Sequence, residues 1–385
     1  MDRKSSRGCY CLRNDRLRAY HEPIQHEVVV HSSPLSKQSR ISSLDYLRGL
    51  AAFGILLYHY QSWIFGNFDA GSFWGRVGIY GVAIFYVLSG LTLYHVYEDR
   101  LRPEAQPIAD FYIKRLFRLF PLLWVVFTVY LIREPNLPDW WDIFLNYTGL
   151  FSLLDWDKAI GVGVWSIGNE LTFYLLFPFF IFLGRYNRIA LSLFGCVTVA
   201  VACYFAFQKI DPNISLAKQW RDYTNPLNQV FLFFGGFAIG YFTKAKRYNT
   251  LALASALLAA ILLFIFLPFS GETAVLVAQG NRFLLAGLCM LICFSIYKLP
   301  VQFPAPINIL LVKLGEISYA LYLLHPIVYN ELVKAKVDAV VASPLLFMLL
   351  ATIVSVISSL FIFQFYERPF IRLGQKVSRF VASRF

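Results

Sequence analysis

Two residues able to hold an anion or move a proton interrupt an apolar stretch near the start of the chain. They are Arg48 and His59 in LDYLRGLAAFGILLYHYQSW, residues 44–63. Ionisable groups in such a stretch are costly and mark functional sites. Eleven residues of helix turn through ~1100°, within ~20° of three full turns, so the two side chains share a face and stand ~16 Å apart along it. Asp45, one turn before Arg48, is placed to neutralise it. Arg48 is then either an interfacial anchor that snorkels to phosphates or part of a site. His59 is either a buried imidazole bonded to a neighbouring helix or a base. An imidazole of ordinary pKa, ~6.5, is the side chain best suited to take a proton from a hydroxyl near neutrality.

Further constellations follow along the chain. FYIKRLFRLFP groups Lys114, Arg115 and Arg118 before Pro121; Arg115 and Arg118, three apart, share a helical face and can clamp phosphates, or they are a run of topology-setting charge. VWSIGNELTFYLLFP holds Trp165, Ser166, Glu170 and Tyr174. Its carboxylate either orients the imidazole or an acceptor hydroxyl, or pairs with an arginine. Trp165 and Tyr174 read as members of an aromatic belt. GEISYALYLLHP supplies Ser318, Tyr319, Tyr322 and His325, and YERPF supplies Glu367. In VLSG, Ser89 and Gly90 form a small pair that admits the close approach of a helix or ligand.

Composition says what must position these groups. The 385 residues are 58% hydrophobic and 15% charged, with a mean hydropathy of +0.55, whereas soluble domains are about 25% charged. The predicted fold class is all-α: a polytopic integral membrane helical bundle. Apolar runs near the ~20 residues that a bilayer requires recur at 47–65, 77–97, 114–132, 165–183, 189–208, 228–243, 250–268, 282–298, 308–330 and 344–366. With the N-terminus inside, about three quarters of the Lys and Arg residues fall on the inner side, as the positive-inside rule demands. The expectation is therefore about ten spans, N-in and C-in. Residues 1–40 are expected as a basic, disordered cytoplasmic tail without a cleavable signal peptide, 41–370 as the membrane core, and 371–385 as a basic cytoplasmic C-terminal tail. Residues 143–154 are too short to span and read as an interfacial or re-entrant piece.

The +12 formal charge is that topology bias, so no nucleic-acid partner is expected. The six cysteines lack paired CxxC spacing, which argues against a metal or redox framework. Sequons at Asn146 and Asn213 fall in outer loops and carry little weight, because such triplets arise by chance.

In their order, LDYLRG through His59, FYVLSG, FYIKRLFRLFP, WSIGNELTFYLLFP, GEISYALYLLHP and YERPF resemble the signature blocks of the acyltransferase-3 family over residues 41–370. The resemblance implies a multi-pass protein of the cell membrane (the bacterial inner membrane). It implies an O-acetyltransferase that takes an acyl group, usually acetyl, from cytoplasmic acetyl-CoA or another acyl-CoA, without a metal. The acceptor is a hydroxyl of an extracytoplasmic glycan such as an exopolysaccharide or lipopolysaccharide unit. It also implies catalytic roles for His59, Arg48 and Glu170, cofactor binding by Arg115, Arg118 and Arg48, and substrate binding by Trp165, Ser166, Tyr319 and His325. The family's second acidic residue is here Leu171, so Glu170 stands as the single carboxylate of its block. With the chain ending at Phe385, acceptor recognition is expected from the membrane core, its outer loops or a partner. The competing expectation is a transporter or flippase of a glycan or lipid-linked substrate, whose path the same polar groups would line.

Overall fold

Every one of those apolar runs is helical in the computed structural model, which describes residues 41–341 and 343–384. The expectations for residues 1–40, Cys9 and Cys11 included, fall outside the described residues. The main helices are α1 (Ser42–Phe65), α2 (Phe73–Tyr97), α3 (Ala105–Arg133), α4 (Trp140–Thr148), α5 (Val164–Tyr186), α6 (Arg188–Lys209) and α7 (Pro226–Thr243). They continue with α8 (Thr250–Phe266), α9 (Gln279–Lys298), α10 (Ala305–Glu316), α11 (Ser318–Lys334) and α12 (Pro344–Ala382). No strand occurs among the described residues. Short polar side chains start several helices by accepting an orphan backbone N–H: Ser72 at α2, Asn187 at α6, Asn225 at α7, Asn249 at α8 and Ser343 at α12.

Among the described residues, six helices are long and apolar enough to cross a bilayer: α2, α3, α5, α6, α9 and α12. A seventh crossing results if α10 and α11, bent by 69° at Ile317, count as one. α8 has only 17 residues, while α1 carries Asp45, Arg48 and His59, and α7 opens with Pro226, Asn228 and Gln229. Residues 140–154 form α4 and the short helix Phe151–Leu154 and make no span. Most of the segment expected as the C-terminal tail is helical, since α12 runs for 39 residues to Ala382. Its last part is held along α3, where Gly374 leaves room for the Phe117 ring and Ser378 donates to Asp110.

In lipid, helices associate through packing and interhelical hydrogen bonds rather than through expulsion of water. Two glycine crossings set the bundle. At α2 and α7, a Cβ on Gly90 would lie 2.0 Å from the Phe233 carbonyl oxygen, and one on Gly236 1.9 Å from that of Val87. At α1 and the α10–α11 bend, a Cβ on Gly49 would lie 2.7 Å from the Gly315 nitrogen, and one on Gly315 2.3 Å from the Asp45 oxygen. Between α5 and α7, the fully buried rings of Phe173, Phe177, Phe180, Phe233 and Phe237 fill the interior. Arg76 of α2, 2% exposed, donates to the carbonyls of Ala70, Gly71, Phe264, Ile265 and Leu267, which ties the loop before α2 to the C-terminal end of α8.

Candidate active site

The α10–α11 bend decides the site. By letting α1 pass against it, Gly49 and Gly315 bring α11 beside the second half of α1. His325 of α11 then faces His59 of α1. The imidazoles are joined from Nδ1 of His59 to Nε2 of His325 at 2.8 Å, and Nδ1 of His325 lies 2.9 Å from the Leu321 carbonyl oxygen. Trp63, one turn beyond His59 and 36% exposed, stacks on it at 5.1 Å between centroids and 16° between planes. Tyr60 Oη donates to the His325 carbonyl (2.9 Å), so its 2.6 Å contact with Ser355 of α12 is a bond it accepts. His325 is buried and His59 partly so.

A second polar group gathers toward the other end of α1. Arg48 contacts Asp45 (3.4 Å) and donates to Thr92 Oγ1 of α2 (3.2 Å). Glu170 of α5 accepts from Ser89 Oγ of α2 (2.7 Å) and from Tyr174 Oη. From α3, Arg115 donates to Tyr97 Oη (3.3 Å), with its guanidinium over the Tyr97 and Tyr174 rings, and its Nε–H has no partner among the described residues. Arg118 makes no hydrogen bond or ion pair among the described residues. It lies within electrostatic range of Arg48, Tyr174 and Glu367. Glu367 is 5% exposed with one carboxyl oxygen unpartnered, and it sits on the π-helical turn Phe363–Glu367; such turns recur at functional sites. Tyr319 donates to the Leu119 carbonyl (2.7 Å), close to the same group.

Arg48, Arg115, Arg118 and Glu170 are thus brought together, while Glu170 is not the partner of His59. The reason is depth. Ser166, near the start of α5, meets Tyr322 Oη at 2.8 Å. Tyr322 is ~4.5 Å along α11 from His325, and Glu170 is another ~6 Å along α5 from Ser166, so the carboxylate falls ~10 Å from the histidine pair, on the side of Arg48. Of the four residues expected to bind substrate, each is engaged within the protein. Trp165 packs on Trp220 and Tyr223, Ser166 bonds Tyr322 and the Gly163 carbonyl, Tyr319 bonds Leu119, and His325 bonds His59. Tyr60, Trp63, Thr92 and Tyr97 were not singled out by their sequence. Thr92 had a signal, since it lies three residues after Ser89 and therefore on its face. Tyr174, read as an aromatic-belt residue, lies one turn after Glu170 and serves as its donor. Asn146, in a sequon, is fully buried; its side chain donates to the carbonyls of Asp142 and Lys158 and accepts from Ile160 N–H, so no glycan fits there.

Chemically, the site offers two guanidiniums with spare donors, those of Arg115 and Arg118 on α3, near Arg48, and a histidine pair further along the α1 face that carries Arg48. The profile of the acyltransferase domain of the acyltransferase-3 type matches residues 41–364. The chain belongs to the acyltransferase-3 family. With its apolar helices, this makes it a multi-pass membrane protein of an acyltransferase family. Among its relatives is the peptidoglycan O-acetyltransferase OatA of Listeria monocytogenes, 29% identical over 163 residues, which are 37% of this chain and 24% of that protein. Another is YrhL of Bacillus subtilis, provisionally named a peptidoglycan O-acetyltransferase, 24% identical over 86% of this chain and 54% of its own length. The O-acetyltransferase OatA of Staphylococcus aureus is 30% identical over 36% of this chain and 24% of its own. The matches therefore take in less than two thirds of each relative. No solved structure matches.

Proposed function

We propose that this protein is a membrane O-acetyltransferase that carries an acetyl group from cytoplasmic acetyl-CoA to a hydroxyl of an extracytoplasmic glycan, through a ten-span core with both termini inside. The observation that carries the reading is the pairing of two chemistries on one face of α1. Arg48 stands among Arg115, Arg118 and Glu170, and His59 stands three helical turns away with His325. The relatives' printed names support a glycan acceptor and an acetyl group.

In this reading Arg115 and Arg118 hold the phosphates of the donor, helped by Arg48, since guanidiniums with free N–H groups match phosphate oxygens. Glu170, fixed by Ser89 and Tyr174, offsets the mutual repulsion of the arginines and so lets them gather at one site. At the other end, His59 takes the proton of the acceptor hydroxyl as its oxygen attacks the thioester carbonyl. The new C–O bond forms, the C–S bond breaks, and the departing thiolate recovers the proton from His59. The products are the acetyl ester and free CoA thiol.

The test is transfer of labelled acetyl from acetyl-CoA to a glycan by the purified protein. Label should appear in the glycan with the parent and fall at least ~100-fold in His59→Ala, the usual scale for a lost general base. Full transfer by a folded His59→Ala protein overturns the assignment of the base. Movement of glycan across vesicles without any label transfer would make the protein a transporter.

A further inference from the structure

The histidine pair contains more than proximity, because one of its contacts has a fixed polarity. The Leu321 carbonyl can only accept, so the 2.9 Å bond to it requires a proton on Nδ1 of His325. Neither imidazole has an Asp or Glu within 4 Å among the described residues, and a buried imidazolium without a counter-charge is strongly disfavoured. His325 is therefore neutral, and its Nε2 is a lone pair. The 2.8 Å bond between the rings must then run from His59 Nδ1–H to His325 Nε2. That leaves the proton of His59 on Nδ1 and its only basic lone pair on Nε2. The ring-centroid separation of 5.0 Å at 21° between planes is that of two imidazoles joined nearly edge to edge, as an in-plane hydrogen bond requires.

We infer that His325 is a positioning residue which locks His59 in the Nδ1–H tautomer, so that Nε2 alone faces the acceptor hydroxyl. This rests on the proposed acetyl transfer for its catalytic meaning, but not for the tautomer itself. Tyr60 and Ser355 complete the device. The hydroxyl of Tyr60 holds the His325 backbone carbonyl at 2.9 Å and is itself held by Ser355 at 2.6 Å, so α1, α11 and α12 are tied at the level of the pair. Trp63, parallel to both rings, stacks on His59 and limits its rotation about the hydrogen bond. When His59 takes the acceptor proton on Nε2, the imidazolium keeps its Nδ1–H bond to His325, and the stacked indole stabilises the cation through its ring face.

The experiment reads the tautomer directly and the rate separately. The intact protein, labelled with 15N histidine in bilayers, should show His59, assigned by the signals lost in His59→Gln, with Nδ1 protonated and Nε2 unprotonated. A His59 proton on Nε2 overturns the inference whatever the activity. In acetyl transfer, His325→Ala should lower kcat by about 100-fold, the scale of general-base catalysis, with acetyl-CoA affinity unchanged. His325→Gln can present its side-chain carbonyl to His59 Nδ1–H and should recover at least about a tenfold share of that loss. Folded His325→Ala with parental kcat, or folded His325→Gln no faster than His325→Ala, also overturns it. If the parent transfers no acetyl at all, the proposed function fails while the spectrum still decides the tautomer.

Discussion

Alanine in place of Gly236 tests the crossing on which the site is hung. The new Cβ would stand 1.9 Å from the Val87 carbonyl oxygen, and real Cβ contacts do not fall under 3.0 Å. The obstacle is backbone, so no side-chain rotation relieves it, and α2 and α7 must part by about 1.1 Å or more, an overpacking strain of about 1–3 kcal/mol. Gly90→Ala meets the same interface from the other side, 2.0 Å from the Phe233 oxygen. One separation accommodates both, so the double variant should cost less than the two single losses added together. Gly287 of α9 is the control, since a Cβ there meets nothing within 4 Å, and Gly287→Ala should gain about 0.5–1 kcal/mol from backbone entropy. Thermal unfolding in detergent micelles, followed by tryptophan fluorescence, should rank Gly287→Ala above the parent and Gly236→Ala below it. A Gly236→Ala protein as stable as the parent, or a Gly287→Ala protein equally destabilised, would refute the packing argument. Because α2 also carries Ser89, whose hydroxyl reaches Glu170 at 2.7 Å, the same separation should reduce acetyl transfer.

Three further outcomes are expected. Arg76→Met strands five backbone carbonyls, and unfolding should show a loss of about 3–5 kcal/mol, from groups worth about 1–3 kcal/mol each when buried and unsatisfied, with Arg76→Lys intermediate because a point charge cannot serve them all. Ser89→Ala removes one of the two donors to Glu170; at about 1.5–3 kcal/mol for a hydrogen bond to a charged group, acetyl transfer should drop roughly 10- to 100-fold with the fold intact by circular dichroism. In the loop outside the spans, the Arg221 hydrogen bond, followed by the charges of Arg221 and Lys158, holds the Asp155 carboxyl below its ordinary range. A depressed acid stabilises the folded loop above its unfolded pKa of ~3.9 and loses that contribution as pH falls through the folded value. Limited proteolysis of residues 155–163 should therefore rise only in strong acid, and Arg221→Gln should move the rise to higher pH; identical profiles for the two proteins would count against this tether.

The blocks of the candidate site were legible as blocks because each is local. Ser89 and Thr92, Arg115 and Arg118, or Glu170 and Tyr174 are three or four residues apart and share a face of whatever helix contains them. Their mutual distances were not legible. Glu170 was open to a place beside the imidazole of His59, beside an acceptor hydroxyl or beside an arginine. Where α5 begins relative to α11 decided it: Ser166, near the start of α5, meets Tyr322, one turn before His325. The docking of the C-terminal helix on α3 was not legible either. Its charged face hid an apolar side and the small residues, Gly374 and Ser378, that fit against α3.

Sequence by itself determined that the chain is a bundle of apolar helices, that Arg48 and His59 lie on one face of the first of them, and which family's blocks it carries. The first two conclusions depend only on composition and on the helical repeat, which are properties of neighbours along the chain, and the third on the resemblance of its motifs to that family's. Tertiary structure alone decided what His59 touches. Its partner is 266 residues away and reaches it only because two glycines let α1 cross the bend between α10 and α11. No local periodicity encodes a contact that exists because two backbones can approach without side chains between them.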